Sequence, residues 1–341
     1  MRTRRNKSYT PSINKRLVTL RSSRSRKSIV KCNNYNAFLL KEPIKIHVRG
    51  KCYPYTSSIA KQFLLDNLRA NKHINPNKII TPIQSHSNCW FNTMFVSLFM
   101  SDKGRKFFHF FRQMMIEGKR SNGEPIPPKL WNAFALLNFA IEVCLTGNPY
   151  AYRLNTNKII RDIYLAINED NKDPYIVDLD YANNPIMYYN ALMNYLNVDD
   201  INIVDVYAYN NNWIKSVEDM IASTEKPPHI IVLSIMDAQS KMITNKPKEL
   251  IIGASSHGYK YVLDSSVVRD DEKEHFCAMI TCEGKEFGYD GASFHRLVQM
   301  NWKNYLNKDK NWKFKGTERG PGDPLHWSFM NGYQMLLYYR G

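Results

Sequence analysis

The sequence contains no run of about eighteen consecutive apolar residues, so no membrane-spanning helix is predicted. It contains no CxxC pair, and Cys277 and Cys282 lack a second ligand pair at suitable spacing, which disfavours a zinc finger. Six cysteines in 341 residues are too sparse for a disulfide scaffold, so free thiols in a reducing, intracellular setting are expected. The basic N-terminus lacks the apolar stretch of a secretory signal. Acidic residues are missing altogether from the first 41 positions.

Those 41 positions instead hold 12 Lys or Arg. Removing them leaves 35 basic against 31 acidic residues, so a chain of net charge +16 has a body near +4. Residues 1–41, with the run Arg21-Ser-Ser-Arg-Ser-Arg-Lys27, read as a basic disordered tail. Such a tail serves as a solubilising arm, or in nuclear import, packaging or non-specific nucleic-acid contact. Any nucleic-acid binding would be backbone electrostatics and sensitive to salt. Beyond the tail, an apolar fraction of 43% and an aromatic fraction of 13% mark a folded body long enough to bury a full core.

Helical spacing dominates the first part of that body. It is read at Ser57–Arg69, after Cys89 through Phe91, Met94, Phe95, Leu98 and Phe99, and after a Ser101-Asp102 cap as one helix through Phe107, Phe108, Phe111 and Met115. Further helices are predicted at Lys129–Leu145, Thr156–Asn168 and Pro185–Leu196. The character changes at Pro227-Pro228. His229–Ile235, Tyr259–Leu263, His275–Thr281, Lys285–Tyr289 and Tyr333–Tyr339 read as short strands, and Lys303–Asp323 as a polar surface insertion. Helices followed by a mostly antiparallel sheet are the order of an α+β fold.

Chemistry concentrates in Gln84-Ser-His-Ser-Asn-Cys89-Trp-Phe-Asn92. With Ser87 or Asn88 as N-cap, Cys89 falls in the first turn of an amphipathic helix, where orphan N–H groups and the helix dipole favour a negative sulfur. Gln84, in an extended approach, can turn its amide toward the same spot and form an oxyanion hole with the Cys89 N–H. Taken singly, Cys89 is better explained as a small core residue.

A base and an acid come from the other half of the chain. Cys282-Glu-Gly-Lys285 reads as a hairpin turn. A symmetric turn places 281 opposite 286 and 277 opposite 290, which makes His275 and Asp290 diagonal neighbours on one sheet face. An acid on one imidazole nitrogen fixes the tautomer and leaves the other for a thiol. His295 is a reserve candidate, and Cys277 and Cys282 are read as packing residues.

These segments resemble the ubiquitin-specific protease family. Gln84 through Asn92 is similar to its Cys box. Pro227-Pro228-His-Ile-Ile-Val-Leu233 is similar to its Pro-Pro-x-Leu-x-Leu strand. His275-Phe-Cys-Ala-Met-Ile280 with Phe287-Gly-Tyr-Asp290 resembles its His box, and Gly332-Tyr-Gln-Met-Leu-Leu-Tyr-Tyr-Arg340 its closing strand. The four come in family order over residues 84–340.

The resemblance implies a papain-like cysteine protease domain over 42–341. A helical thumb at about 57–225 and a β palm at about 227–341 would meet at a cleft, with the fingers reduced or absent. It implies Cys89 as nucleophile, His275 as base and acid, Asp290 as orienting acid and Gln84 as oxyanion donor, with no metal or organic cofactor. Ubiquitin or a ubiquitin-like conjugate is the implied partner. Departures are Glu274 where the family has glycine, Gly291 where it has a second acid, and the missing CxxC pairs. The Asn-, Lys-, Tyr- and Ile-rich composition with a basic leader looks like that of large DNA virus proteins, in a host cytoplasm, nucleus or virion. Two alternatives follow: a papain-like protease of a viral precursor, and an inactive member with a virion or nucleic-acid-associated structural role.

Overall fold

The computed structural model describes residues 32–341 apart from 40, 71–72, 180, 200, 225–226, 254–257, 271–273, 293–294 and 315–324. The basic leader through residue 31 thus lies outside the described residues. Residues 32–39 belong to the folded body, which corrects the boundary expected at 41. Cys32, Ala37 and Phe38 are buried. Asn34 exchanges two hydrogen bonds with the Lys45 backbone, and Phe38 stacks on Tyr150 at 5.5 Å. Cys32 is also bonded to Cys52. The expectation of free thiols therefore holds for the other four cysteines only.

A small hairpin, β1 (Lys45–Val48) and β2 (Lys51–Pro54), precedes the helices. These are α1 (Ser58–Arg69), α2 (Cys89–Phe99), α3 (Asp102–Phe107), α4 (His109–Glu117), α5 (Pro128–Thr146), α6 (Thr156–Ala166), α7 (Pro185–Tyr195) and α8 (Trp213–Thr224). Side-chain caps fix several of the starts. Ser57 accepts from the Ala60 N–H, Ser101 from Gly104, and Asn184 from Ile186 and Met187. Proline opens α5 and α7, where a missing N–H breaks no bond.

The Cys89 helix departs from the amphipathic pattern expected. Every residue of α2 after Cys89 is buried, which makes it the central helix of the thumb, packed on all sides. Trp90 meets Tyr188 at 4.8 Å, and Phe91 stacks on Tyr189 at 5.8 Å. The aromatic content around Cys89 is thus core, and it anchors the first turn of α2 against α7.

The palm comprises β3 (Ile203–Tyr207), β4 (Ile230–Ile235), β5 (Glu249–Ile252), β6 (Tyr259–Arg269), β7 (Phe276–Cys282), β8 (Lys285–Tyr289), β9 (Val298–Gln299) and β10 (Gln334–Arg340). The order is β3-β4-β10-β6-β7-β8-β9, with β5 paired to β6. β3 runs parallel to β4 and the other pairings are antiparallel. Alternation along β4 sends Ile230 and Val232 into the core shared with the helices, and Ile231, Leu233 and Ile235 into a second core on the opposite face. Burial on both faces is why these strands read as unbroken apolar runs.

That second core explains two differences from the sequence reading. β3 and α8 were not predicted, and α8 covers the outer face through Trp213 and Val217. Leu306, Trp312 and Phe314, in the stretch expected to be a surface insertion, are buried against the same face. Positions 315–323 of that stretch lie outside the described residues. Among the described residues, no helix is long and apolar enough to cross a membrane.

Candidate active site

The chain enters the site along the end of β8. The Tyr289 hydroxyl donates to the Pro82 carbonyl at 2.7 Å, and the Gln84 N–H donates to the Gly291 carbonyl at 2.9 Å. This contact accounts for glycine at 291: a Cβ there would lie 2.7 Å from the Tyr289 hydroxyl oxygen and 3.2 Å from the Gln84 nitrogen. The approach of the Gln84 segment leaves no room for a side chain, let alone a second acid.

Asn88 organises the turn before Cys89. Its Nδ2 donates to Thr156 Oγ1 at 2.8 Å and to Asn157 Oδ1 at 2.6 Å. Its Oδ1 accepts from the Ser85 N–H and from Asn92 Nδ2, both at 3.3 Å. Asn157 Nδ2 donates in turn to the Ser85 carbonyl at 2.8 Å, and Thr156 Oγ1 to Asn92 Oδ1 at 2.7 Å. Asn88, Asn92, Thr156 and Asn157 are all buried, so each bond replaces one that water would otherwise supply.

Asn88 occupies the N-cap position of α2 but makes no capping bond. The cap expected from the sequence is therefore absent. The first N–H groups of α2, including that of Cys89, have no acceptor within the helix. Cys89 is half-buried, whereas Cys144, Cys277 and Cys282 are fully buried.

The hairpin register is the expected one, with Cys282 opposite Lys285 and Ala278 opposite Tyr289. His275 stands just before β7 and Asp290 just after β8, at the open end of the hairpin. His275 Nε2 and Asp290 Oδ1 are 2.6 Å apart in a buried hydrogen bond. The same oxygen accepts from the Ala292 N–H at 2.9 Å. The His275 carbonyl accepts from the Asp270 N–H at 2.8 Å and from the Trp327 indole at 3.3 Å. The ring is thus held from both its side chain and its backbone.

Cys89 lies close enough to His275 for its side chain to raise the ring's pKa. With Nε2 taken by Asp290, Nδ1 is the nitrogen left for the sulfur. Burial pushes the imidazole pKa down, but Asp290 and Cys89 together outweigh it and raise the pKa to about 9. Cys89, His275 and Asp290, far apart in the chain, are therefore gathered at one helix–sheet junction.

Gln84 is placed otherwise. Its Nε2 donates to the His86 carbonyl at 3.2 Å, so the expected oxyanion donor is engaged within its own loop. The reserve base His295 packs edge-on against Tyr152 at 5.0 Å, and burial holds its pKa below the usual imidazole range. Asn88, Thr156 and Asn157 were missed as site residues. Asn88 was read only as a cap, and nothing local to residues 156 and 157 points across the fold. Among the described residues, no three His, Cys, Asp or Glu side chains gather as a metal would require.

No family model matches the sequence, and no curated protein does. Among solved structures, the chain is similar to the SAGA DUB module of Ubp8, Sgf11, Sus1 and Sgf73 bound to monoubiquitin. The TM-score is 0.51 at 9% identity, covering 98% of this chain and 99% of that chain. The same values relate it to that module bound to ubiquitin aldehyde. At this identity the likeness is one of fold: the α+β architecture read from the sequence is that of the ubiquitin-specific-protease structures of Ubp8.

Proposed function

We propose that this protein is a cysteine-dependent isopeptidase or peptidase that removes ubiquitin or a ubiquitin-like modifier. The observation that carries the reading is His275, bonded to the buried Asp290 carboxylate through Nε2 and close enough to Cys89 for the cysteine to raise its pKa. An imidazole whose pKa is raised to about 9 beside a cysteine is the group such chemistry needs to take and return a proton.

In this mechanism the Cys89 thiolate attacks the carbonyl carbon of the scissile amide, and the carbonyl electrons move onto oxygen. Backbone N–H groups at the start of α2 stabilise that oxyanion, joined by Gln84 if its amide leaves the His86 carbonyl. His275 gives its proton to the departing amine as the C–N bond breaks. Water, deprotonated by His275, then attacks the thioester, and the thiolate leaves with the free carboxylate as second product. Asp290 keeps the ring oriented throughout.

A second reading keeps the chemistry and changes the substrate, to a precursor protein. It is favoured by Glu274, an exposed carboxylate directly before His275 where the resemblance expects glycine. One experiment separates the two. A ubiquitin C-terminal electrophile should label the wild type and leave Cys89→Ala unlabelled. Labelling of Cys89 by iodoacetamide but never by the ubiquitin probe would favour the second reading, and an inert Cys89 towards both would remove the hydrolase.

A further inference from the structure

A cavity of about 630 Å³ lies at the far end of α2, walled by α1, α3, α4, α5 and the β7–β8 turn. With α2 eleven residues long, it is roughly 16 Å from Cys89 and forms no part of the site above. Its volume is that of a pocket for a small organic ligand. Leu68, Ile74, Phe99 and Leu145 give it an apolar wall.

Charge is distributed unevenly around that wall. Four permanent cations and two histidines face three carboxylates, and the carboxylates are already occupied. Arg105 binds Asp102 at 2.6 Å and Glu283 at 3.1 Å, and Arg112 binds Glu142 at 3.1 Å. Glu283 also accepts from the Ile74 N–H, and Asp102 from the N–H groups of Glu283 and Gly284. Among the described residues, neither Arg69 nor Lys106 is paired with a carboxylate. Burial and the neighbouring Arg112 and Arg69 hold the His109 imidazole below its usual range, the response of a titratable group to a positive surrounding.

We propose that this cavity binds a small organic anion, its apolar body against Phe99 and Leu68 and its acidic head against Arg69, Lys106 and His109. The wall joins thumb helices to the turn of the hairpin that carries His275 and Asp290. A bound molecule therefore bridges the far ends of the two elements whose near ends form the site.

The dye 8-anilinonaphthalene-1-sulfonate has both required features and serves as the probe. The full chain should bind it saturably with one-to-one stoichiometry, and binding should raise the melting temperature. The double variant Arg69→Glu, Lys106→Glu should bind about tenfold more weakly. Both residues are exposed, so its own unfolding midpoint should stay near wild type. N-phenyl-1-naphthylamine, which lacks the sulfonate, should also bind about tenfold more weakly to the wild type. Absence of saturable binding, an unchanged affinity in the folded double variant, or equal affinity for the uncharged analogue would each overturn the proposal.

Discussion

Asn88 Nδ2 stands 2.6 Å from Asn157 Oδ1, so the residue before Cys89 is fastened to the first turn of α6 as well as, through Asn92, to its own helix. The position of Cys89 is thereby set by a neighbouring element through a buried amide. Asn88→Ala would leave Thr156, Asn157 and the Ser85 N–H without that partner. Urea denaturation should show a loss of about 1–3 kcal/mol, the range for stranding buried polar groups. Iodoacetamide should meanwhile react more slowly with Cys89 as the turn loosens. A loss within error of zero would mean that water replaces the amide and that the network does not position the sulfur.

The His275–Asp290 bond predicts a pH dependence with a definite sign. The ring titrates at about 9 in the fold, against about 6.5 in an unfolded chain. The fold therefore binds this proton more tightly. Its contribution to stability is complete below about pH 6.5 and lost as the pH rises through about 9. Asp290→Asn keeps the shape and removes the larger of the two contributions that raise the ring's pKa, leaving Cys89 alone against burial. The His275 proton resonances should titrate near pH 9 in the wild type and well below that in the variant. Turnover of a ubiquitin C-terminal amide should fall above about pH 9 in the wild type and be strongly reduced at all pH values in the variant. Coincident titration of the two proteins would remove Asp290 from its orienting role.

Much of this site was legible because its information is local. The turn at Cys282–Lys285 fixes a two-residue period, and that period carries His275 to Asp290 across fifteen residues. Caps at Ser57 and Ser101 and the proline starts of α5 and α7 are likewise local; α1, α5 and α7 fell within a residue or two of their expected bounds, whereas the helix expected from the Ser101 cap through Met115 is broken at Phe108 into α3 and α4. What escaped was long-range. Nothing around Cys32 announces Cys52, and nothing around Asn157 announces Asn88. The outer face of the sheet was missed because a strand buried on both sides has no alternation to show which residues face which layer. Trp213, Trp312 and Trp327 lie outside every predicted strand, yet together they cover that face.

The packing of Gly291 against Gln84 gives a prediction that separates steric from chemical roles. A methyl group at 291 would meet the buried Tyr289 hydroxyl at 2.7 Å and the Gln84 backbone at 3.2 Å. Something must move, and the Pro82–Gln84 segment is tied to the palm by the bonds from Tyr289 and to Gly291, and to α2 by the longer bond from Asn92 Nδ2 to the Ile83 carbonyl. Gly291→Ala should lower stability by about 1–3 kcal/mol, as overpacking of a close contact does. It should also slow ubiquitin-electrophile labelling more than iodoacetamide labelling, because it displaces Gln84, the proposed oxyanion donor, without touching the sulfur. Equal slowing of both reagents would place the damage at Cys89 itself.

Glu274 offers the converse test, a change that should improve the fold. Its φ is +51°, in the left-handed region where a residue with a Cβ is strained by about 1–2 kcal/mol. Glycine relieves that strain but loses about 0.5–1 kcal/mol through its greater freedom in the unfolded chain. Glu274→Gly should therefore be more stable by about 0.5–1 kcal/mol, which paired urea curves resolve. Glu274→Ala removes the same exposed carboxylate and keeps the strain, so its stability should stay at the wild-type level. The two variants then divide the functional question. If the carboxylate obstructs a ubiquitin tail approaching His275, both should hydrolyse a ubiquitin amide faster than wild type. If the missing glycine narrows the channel through its Cβ, only Glu274→Gly should gain. Should neither variant gain while both keep a reactive Cys89, the substrate is not selected at this loop, and the precursor-protease reading loses the observation that favours it.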